Sequence, residues 1–135
     1  MPAYARELRD LADDRVKFIP FIVSREELSK VIKQALLFVF PFTFEAMSMM
    51  LLHVASIGTP ILCSDIPETE QFWRPCIVFR SGNETDLTVK LRRAIEHPDD
   101  IKKGCVSQSW VKQTCPWDKI INQYEELYHE SLTKA

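Results

Sequence analysis

Two ionisable side chains stand out in the stretch FEAMSMMLLHVASIGTP, residues 44–60. Glu45 opens an otherwise apolar run, and His53 follows eight positions later. A run of this kind predicts a helix over 45–57 that ends on Gly58 as its cap. At about 100° per residue, His53 lies roughly 80° around that helix from Glu45 and a little over two turns along it. A helix opening at Glu45 presents the unpaired N–H groups of Ala46, Met47 and Ser48, together with the positive end of the helix dipole. Such an end can hold a diphosphate without a glycine-rich loop, while Glu45 beside it accepts hydrogen bonds from sugar hydroxyls. His53 then faces the same cleft at a different depth. Plainer roles also fit: a carboxylate that only complements the helix dipole, and a histidine satisfied in the core or on the surface.

Few other residues compete for a chemical role. Asp65 in CSDIP can line the same cleft, although aspartates at loop starts commonly form turns. Trp73, Trp110 and Trp117 can stack on ligands, but the helical spacing of Trp117 places it in a core. His97 and His129 sit among charged residues and read as solvated. The sequence holds no Ser-His-Asp arrangement, no H-E-x-x-H and no DxD-like metal motif. Its three glycines form neither a G-x-G-x-x-G nor a Walker pattern. The four cysteines (Cys63, Cys76, Cys105 and Cys115) are widely spaced with no C-x-x-C, and read as reduced thiols rather than a metal or disulfide framework. Neither a metal nor a cofactor is expected.

The elements that must position these residues alternate. Residues 3–13 read as a helix with Tyr4, Leu8 and Leu11 on one face, and the alternating RVKFI at 15–19 as a short strand. Ser24 caps a second helix, with Glu27 at the capping-box spacing and Leu28, Val31 and Ile32 facing inward, running to about Ala35. LLFVF at 36–40, PILC at 60–63 and CIVF at 76–79 are continuous apolar runs, as expected of parallel strands buried on both faces. The loop SDIPETEQF leads into one helical turn. An amphipathic helix over 85–97 follows, then one from Pro98 to about Val111. A last helix opens at Pro116 and carries Trp117, Ile120, Ile121, Tyr124, Leu127 and Tyr128 on its apolar face. The helical final fifty residues are expected to pack over the sheet and its edge. The predicted class is α/β: a single domain over 1–135, with a Rossmann-like parallel sheet flanked by helices and a helical C-terminal tail. A doubly wound domain usually opens on a strand; this chain opens on a helix, as if entered in the middle.

Composition agrees with a single globular domain: 135 residues, 46% hydrophobic and 27% charged. A net charge of −2 gives no electrostatic reason to expect nucleic acid as a partner. No stretch is apolar enough to span a bilayer, and the charged N-terminus MPAYARELRD does not read as a signal peptide, so a cytoplasmic location is expected.

The stretch LLFVFPFTFEAMSMMLLHVASIGTPILCSDIPE resembles the donor-binding core of retaining GT-B glycosyltransferases of family 4, the glycosyl transferases group 1. Their pattern is strand, Pro-Ser, Glu-Gly, an apolar helix, Glu-Ala, a small residue, Gly-x-Pro, strand and Ser-Asp. The tail matches in the same register, through FRSGNETDL, a helix, HP, another helix, a tryptophan and an x-x-Y-x-x-L-Y ending. The resemblance implies the C-terminal half of a GT-B fold, here incomplete. It also implies transfer of a hexose from a nucleotide diphosphate sugar (UDP-, GDP- or ADP-linked) with retention and without an obligatory metal. By this resemblance Glu45 positions the sugar, the amides of Ala46, Met47 and Ser48 hold the diphosphate, and His53 stands where a glutamate binds the ribose. Phe21 and Ile22 lie near the base.

The departures from that pattern carry chemical consequences. A carboxylate can accept from both ribose hydroxyls, whereas a neutral imidazole has one acceptor and one donor. Losing one charged hydrogen bond costs about 1.5–3 kcal/mol, roughly ten- to a hundredfold in affinity. Ala46 replaces a glycine, Phe42 the serine of Pro-Ser, and Pro20 a glycine, which removes a backbone donor. The resemblance further implies that the acceptor domain, the first strands of the donor domain and the basic groups that neutralise the leaving diphosphate are missing. The chain alone is therefore expected to be inactive as a transferase. A second chain, or self-association at an exposed sheet edge, is expected to complete it. The alternative is a non-catalytic binding or interaction domain that has kept the fold and lost the chemistry.

Overall fold

Three short apolar runs set the frame. β1 (Phe38–Phe40), β2 (Ile61–Ser64) and β3 (Ile77–Phe79) form one parallel sheet in the order β1-β2-β3. The register pairs Val39 with Leu62 and Cys63 with Val78. The central strand β2 is buried along its whole length, which is why its sequence is apolar without alternation. The computed structural model describes residues 3–46, 48–72, 76–103 and 108–133.

The helices follow from local chemistry. α1 spans Ala3–Leu11 and α2 spans Arg25–Gln34. Ser24 caps α2 as its sequence indicates, its hydroxyl accepting from the Glu27 amide at 3.3 Å. Ile32 is buried and Leu28 packs on the core, but Val31 points outward. α3 (Met49–Ile57) ends on Gly58, whose φ of 84° is the left-handed conformation a C-terminal cap requires. The Gly58 amide reaches back to the carbonyls of Val54 and Ala55, both at 3.1 Å. After β2 comes one 3₁₀ segment, Pro67–Phe72. α4 (Glu84–Glu96) is capped by the Asn83 side chain, which accepts from the Asp86 amide at 2.9 Å. α5 (Pro98–Lys103), α6 (Gln108–Thr114) and α7 (Trp117–Thr133) complete the described chain.

The core lies where α2, α3 and the sheet meet. Ile32, Phe40, Leu51, Val54, Ala55, Ile61 and Cys63 form one cluster, with Trp110 and Val111 of α6 packed against it. Leu51, Ile61 and Leu62 are fully buried; each such side chain stabilises the fold by about 1.5–3 kcal/mol. Buried polar groups are bonded: the Thr59 hydroxyl donates to the Ile32 carbonyl at 2.9 Å, tying the end of α3 to α2.

Three expectations are corrected. Residues 15–19 are not a strand. Asp13 accepts from the Arg15 amide at 2.9 Å in a tight turn, and Val16, Phe18 and Ile19 are exposed. Alternation alone does not make a strand; a ladder must receive the backbone groups. Among the described residues, β1 pairs only with β2 and leaves its other edge open. Second, the helix expected to end at about Val111 runs on to Thr114; it is described as α5 and α6, with 104–107 outside the described residues. Third, α7 buries none of its residues, and its stripe of Trp117, Ile121, Tyr124, Leu127, Tyr128 and Leu132 faces outward. The face of Tyr4, Leu8 and Leu11 on α1 is likewise exposed.

Candidate functional site

Parallel strands place the loops after β1, β2 and β3 at one edge of the sheet. Each helix that returns to the sheet begins at that same edge, so the segment 20–24 before α2 joins residues 41–48 there. The Ser64 hydroxyl donates to the Phe42 carbonyl at 2.5 Å, fixing the start of the 41–48 loop to the end of β2. Asp65 accepts from the Ser81 amide at 2.6 Å and ties the β2 and β3 loops together. Asp65 therefore acts as a loop brace, its turn-forming reading.

The loop differs from its predicted form at the helix start. α3 begins at Met49, not Glu45, because Ser48 takes the cap position. The Ser48 hydroxyl, buried, accepts from the Leu51 amide at 3.2 Å. Glu45 folds back on its own neighbour, its Oε1 accepting from the Ala46 amide at 3.1 Å. The first-turn amides of α3 are thus those of Met49, Met50 and Leu51, and Leu51 is already served by the cap. Glu45 is half-buried and Ala46 exposed, while Met47 lies outside the described residues. Phe21 is 91% exposed and Ile22 half-buried.

His53 sits in a cavity of about 470 Å³ walled by α2, α3, α6 and the start of α7. Arg25, Met49, Lys112, Cys115 and Trp117 share that wall. Two cations, an aromatic face and a histidine against a largely apolar lining suit an anionic ligand that carries a flat ring. Trp117 belongs to this wall and is 68% exposed, so its helical spacing did not mark a core residue. Trp110 takes the core position instead, and Trp73 lies outside the described residues.

The His53 ring is held by Ser29 of α2, whose Oγ stands 3.0 Å from Nε2. The same Oγ donates to the Arg25 carbonyl one turn earlier, at 2.8 Å. Sequence reading missed Ser29, since no local pattern joins two residues 24 positions apart. His97 and His129 are exposed, as their charged surroundings indicate. Cys63 and Cys76 face one another away from the cavity. The hydrogen bond from Cys76 holds the Cys63 thiol below its ordinary range, while Cys63 and burial push Cys76 up. Cys105 is outside the described residues. No group of three or more His, Cys, Asp or Glu side chains is arranged to hold a metal among the described residues.

With this geometry in place, comparison with known families is decisive for ancestry. The model of the family described as "Glycosyl transferases group 1" matches residues 1–97. The chain belongs to the glycosyl transferases group 1 family. The fold of this group 1 chain is also that of a solved GT-B protein, sucrose-phosphate synthase from Thermosynechococcus elongatus, with a TM-score of 0.85 at 20% identity. The match covers 98% of this chain and 35% of that one, so the group 1 chain spans about a third of that synthase. Comparison with curated proteins returns no match. Among the described residues of this family member, no helix is long and apolar enough to cross a membrane.

Proposed function

We propose that this chain is the donor-side part of a retaining, family 4 glycosyltransferase and binds a nucleotide diphosphate sugar at the carboxyl edge of its sheet. The observation that carries the reading is the cavity beside α3, whose lining includes His53, Arg25, Lys112 and Trp117. In this reading the cationic pair attracts the diphosphate, and the free amides of Met49 and Met50 add to those of Ala46, Met47 and Ser48 in holding it. The Glu45 carboxylate leaves the Ala46 amide as the phosphate arrives and turns to the sugar hydroxyls. His53 takes one ribose hydroxyl. Phe21, almost wholly exposed, lies in the loop beside Ile22 and can cover the base.

Retaining transfer places the sugar carbon and the leaving diphosphate in one rigid frame, so the donor side works by orientation and charge neutralisation. The residues of this chain bind and orient the donor; transfer to an acceptor belongs to the assembled enzyme, completed by a further domain, a second chain or self-association. A cytoplasmic location suits that substrate. Calorimetric titration with UDP, GDP and ADP tests the reading. It predicts saturable binding of at least one of them, weakened by His53→Ala; heats no larger than dilution for all three would overturn it.

One observation favours a second reading, a non-catalytic domain that has kept the fold. Glu45 is engaged by its own backbone and Nε2 of His53 by Ser29, so each ionisable group already has a partner within the chain. Binding that is unchanged by Glu45→Ala and His53→Ala alike would support it.

A further inference from the structure

Resting on the donor-binding reading, we propose that Ser29 is a positioning residue that fixes His53 as its Nε2–H tautomer, leaving Nδ1 as the acceptor for a ribose hydroxyl. A serine hydroxyl has a single proton to give. In Ser29 that proton goes to the Arg25 carbonyl, at 2.8 Å, in the back-bond that helical serines make to the preceding turn. With that proton placed, the Ser29 oxygen meets His53 with a lone pair, and in this assignment the ring nitrogen 3.0 Å away brings the hydrogen. A neutral imidazole with its proton on Nε2 has its lone pair on Nδ1.

The consequence bears on what replaces a carboxylate at position 53. Without Ser29 the ring could carry its proton on either nitrogen and offer a donor or an acceptor to the ligand. With it, His53 offers one acceptor, which is half of what a carboxylate supplies. The bond also sets the orientation of the ring, because Ser29 lies on α2 and His53 on α3, the two helices that form one corner of the cavity. The histidine is thus held from outside its own helix, and its acceptor is in place before any ligand arrives. Arrangement in advance of this kind spares a ligand the ordering of that side chain.

The tautomer is read directly by long-range ¹⁵N–¹H correlation spectra of the imidazoles in the whole labelled chain, with the His53 signal identified by its loss in His53→Gln. The expected pattern is that of a proton on Nε2 in the wild type, a shift toward mixed tautomers in Ser29→Ala, and a return to the wild-type pattern in Ser29→Thr. A proton on Nδ1 in the wild type, or a pattern indifferent to Ser29→Ala, overturns the assignment. Nucleotide affinity supplies the second readout. Loss of Ser29 is expected to weaken a nucleoside diphosphate by roughly three- to tenfold, the size of one neutral hydrogen bond. Inorganic pyrophosphate, which has no ribose, is expected to be unaffected, and equal weakening of both would overturn the ribose role. A wild-type chain that binds no nucleotide refutes the donor-binding reading and the ribose role with it, while the spectra still decide the tautomer.

Discussion

Replacing Ser48 with alanine isolates the feature that decides where α3 begins. The Ser48 hydroxyl is the cap, accepting from the Leu51 amide at 3.2 Å, and the residue is only 3% exposed. Loss of a serine cap typically costs about 1 kcal/mol. At this position water does not readily replace the lost oxygen, so the Leu51 amide is left unpaired in a buried setting, which costs about 1–3 kcal/mol. The two figures describe the same lost bond from two sides, so the expected total is about 2 kcal/mol rather than their sum. Ser24 is the internal control. It caps α2 with the same kind of bond to the amide three residues on, accepting from Glu27 at 3.3 Å, but it is exposed and that amide can turn to water. Ser24→Ala is expected to cost about 0.5–1 kcal/mol, at the lower end for capping residues. The assay is urea denaturation followed by far-ultraviolet circular dichroism, with equal slopes confirming that the unfolded states compare. A loss at Ser48 no larger than that at Ser24 would refute the reasoning that burial makes this cap the costlier one to lose.

Further predictions concern the site and the frame around it. His53→Glu puts a carboxylate on the cavity lining that Arg25 and Lys112 share; nucleoside diphosphate affinity is expected to rise about tenfold or more by calorimetry. Alkylation of Cys115, which lines the cavity, should slow when a nucleoside diphosphate is present, as read by site-resolved mass spectrometry. Gly58→Ala should cost about 1–2 kcal/mol from the positive φ alone, since a Cβ there meets nothing within 4 Å. Unfolding midpoints measure that loss, and Gly58→Asn should lose less. Asp13 is solvent-exposed, and the Arg15 guanidinium holds its carboxyl below the usual range. A depressed folded-state value stabilises above the unfolded one and is lost as pH falls through the folded one. For so exposed a pair, Asp13→Asn should leave acid unfolding curves superimposable on the wild type.

Much of the frame was legible because single residues dictate it. Ser24 and Glu27 announce the start of α2, Gly58 the end of α3, and the unbroken apolar runs the buried strands. The start of α3 was harder to read. Ser48 lies within FEAMSMM, where an acidic residue followed by helix formers points four positions too early. The sequence carries no Glu three residues after Ser48 to mark it as the cap. RVKFI alternates as a strand should, but pairing is a property of its neighbours rather than of its own side chains. The apolar stripe of α7 has helical spacing whether or not anything covers it, which is why Trp117 read as core and lies open on the cavity wall. At the site, Glu45 and His53 were visible as ionisable groups in an apolar run. Ser29, Arg25 and Lys112 were not, because Ser29 meets His53, and Arg25 and Lys112 join its cavity, only through the packing of α2 and α6 against α3.

The central claim is that this edge of the sheet binds the donor nucleotide. Backbone amide spectra recorded during titration with a nucleoside diphosphate test it most directly. The account predicts saturable shifts concentrated at residues 21–29, 44–53 and 112–120, the segments that surround His53 and the 41–48 loop, and their loss at residue 53 and its neighbours in His53→Ala. Shifts confined to the far side of the molecule, on α4, or no shifts at saturating nucleotide, would contradict it.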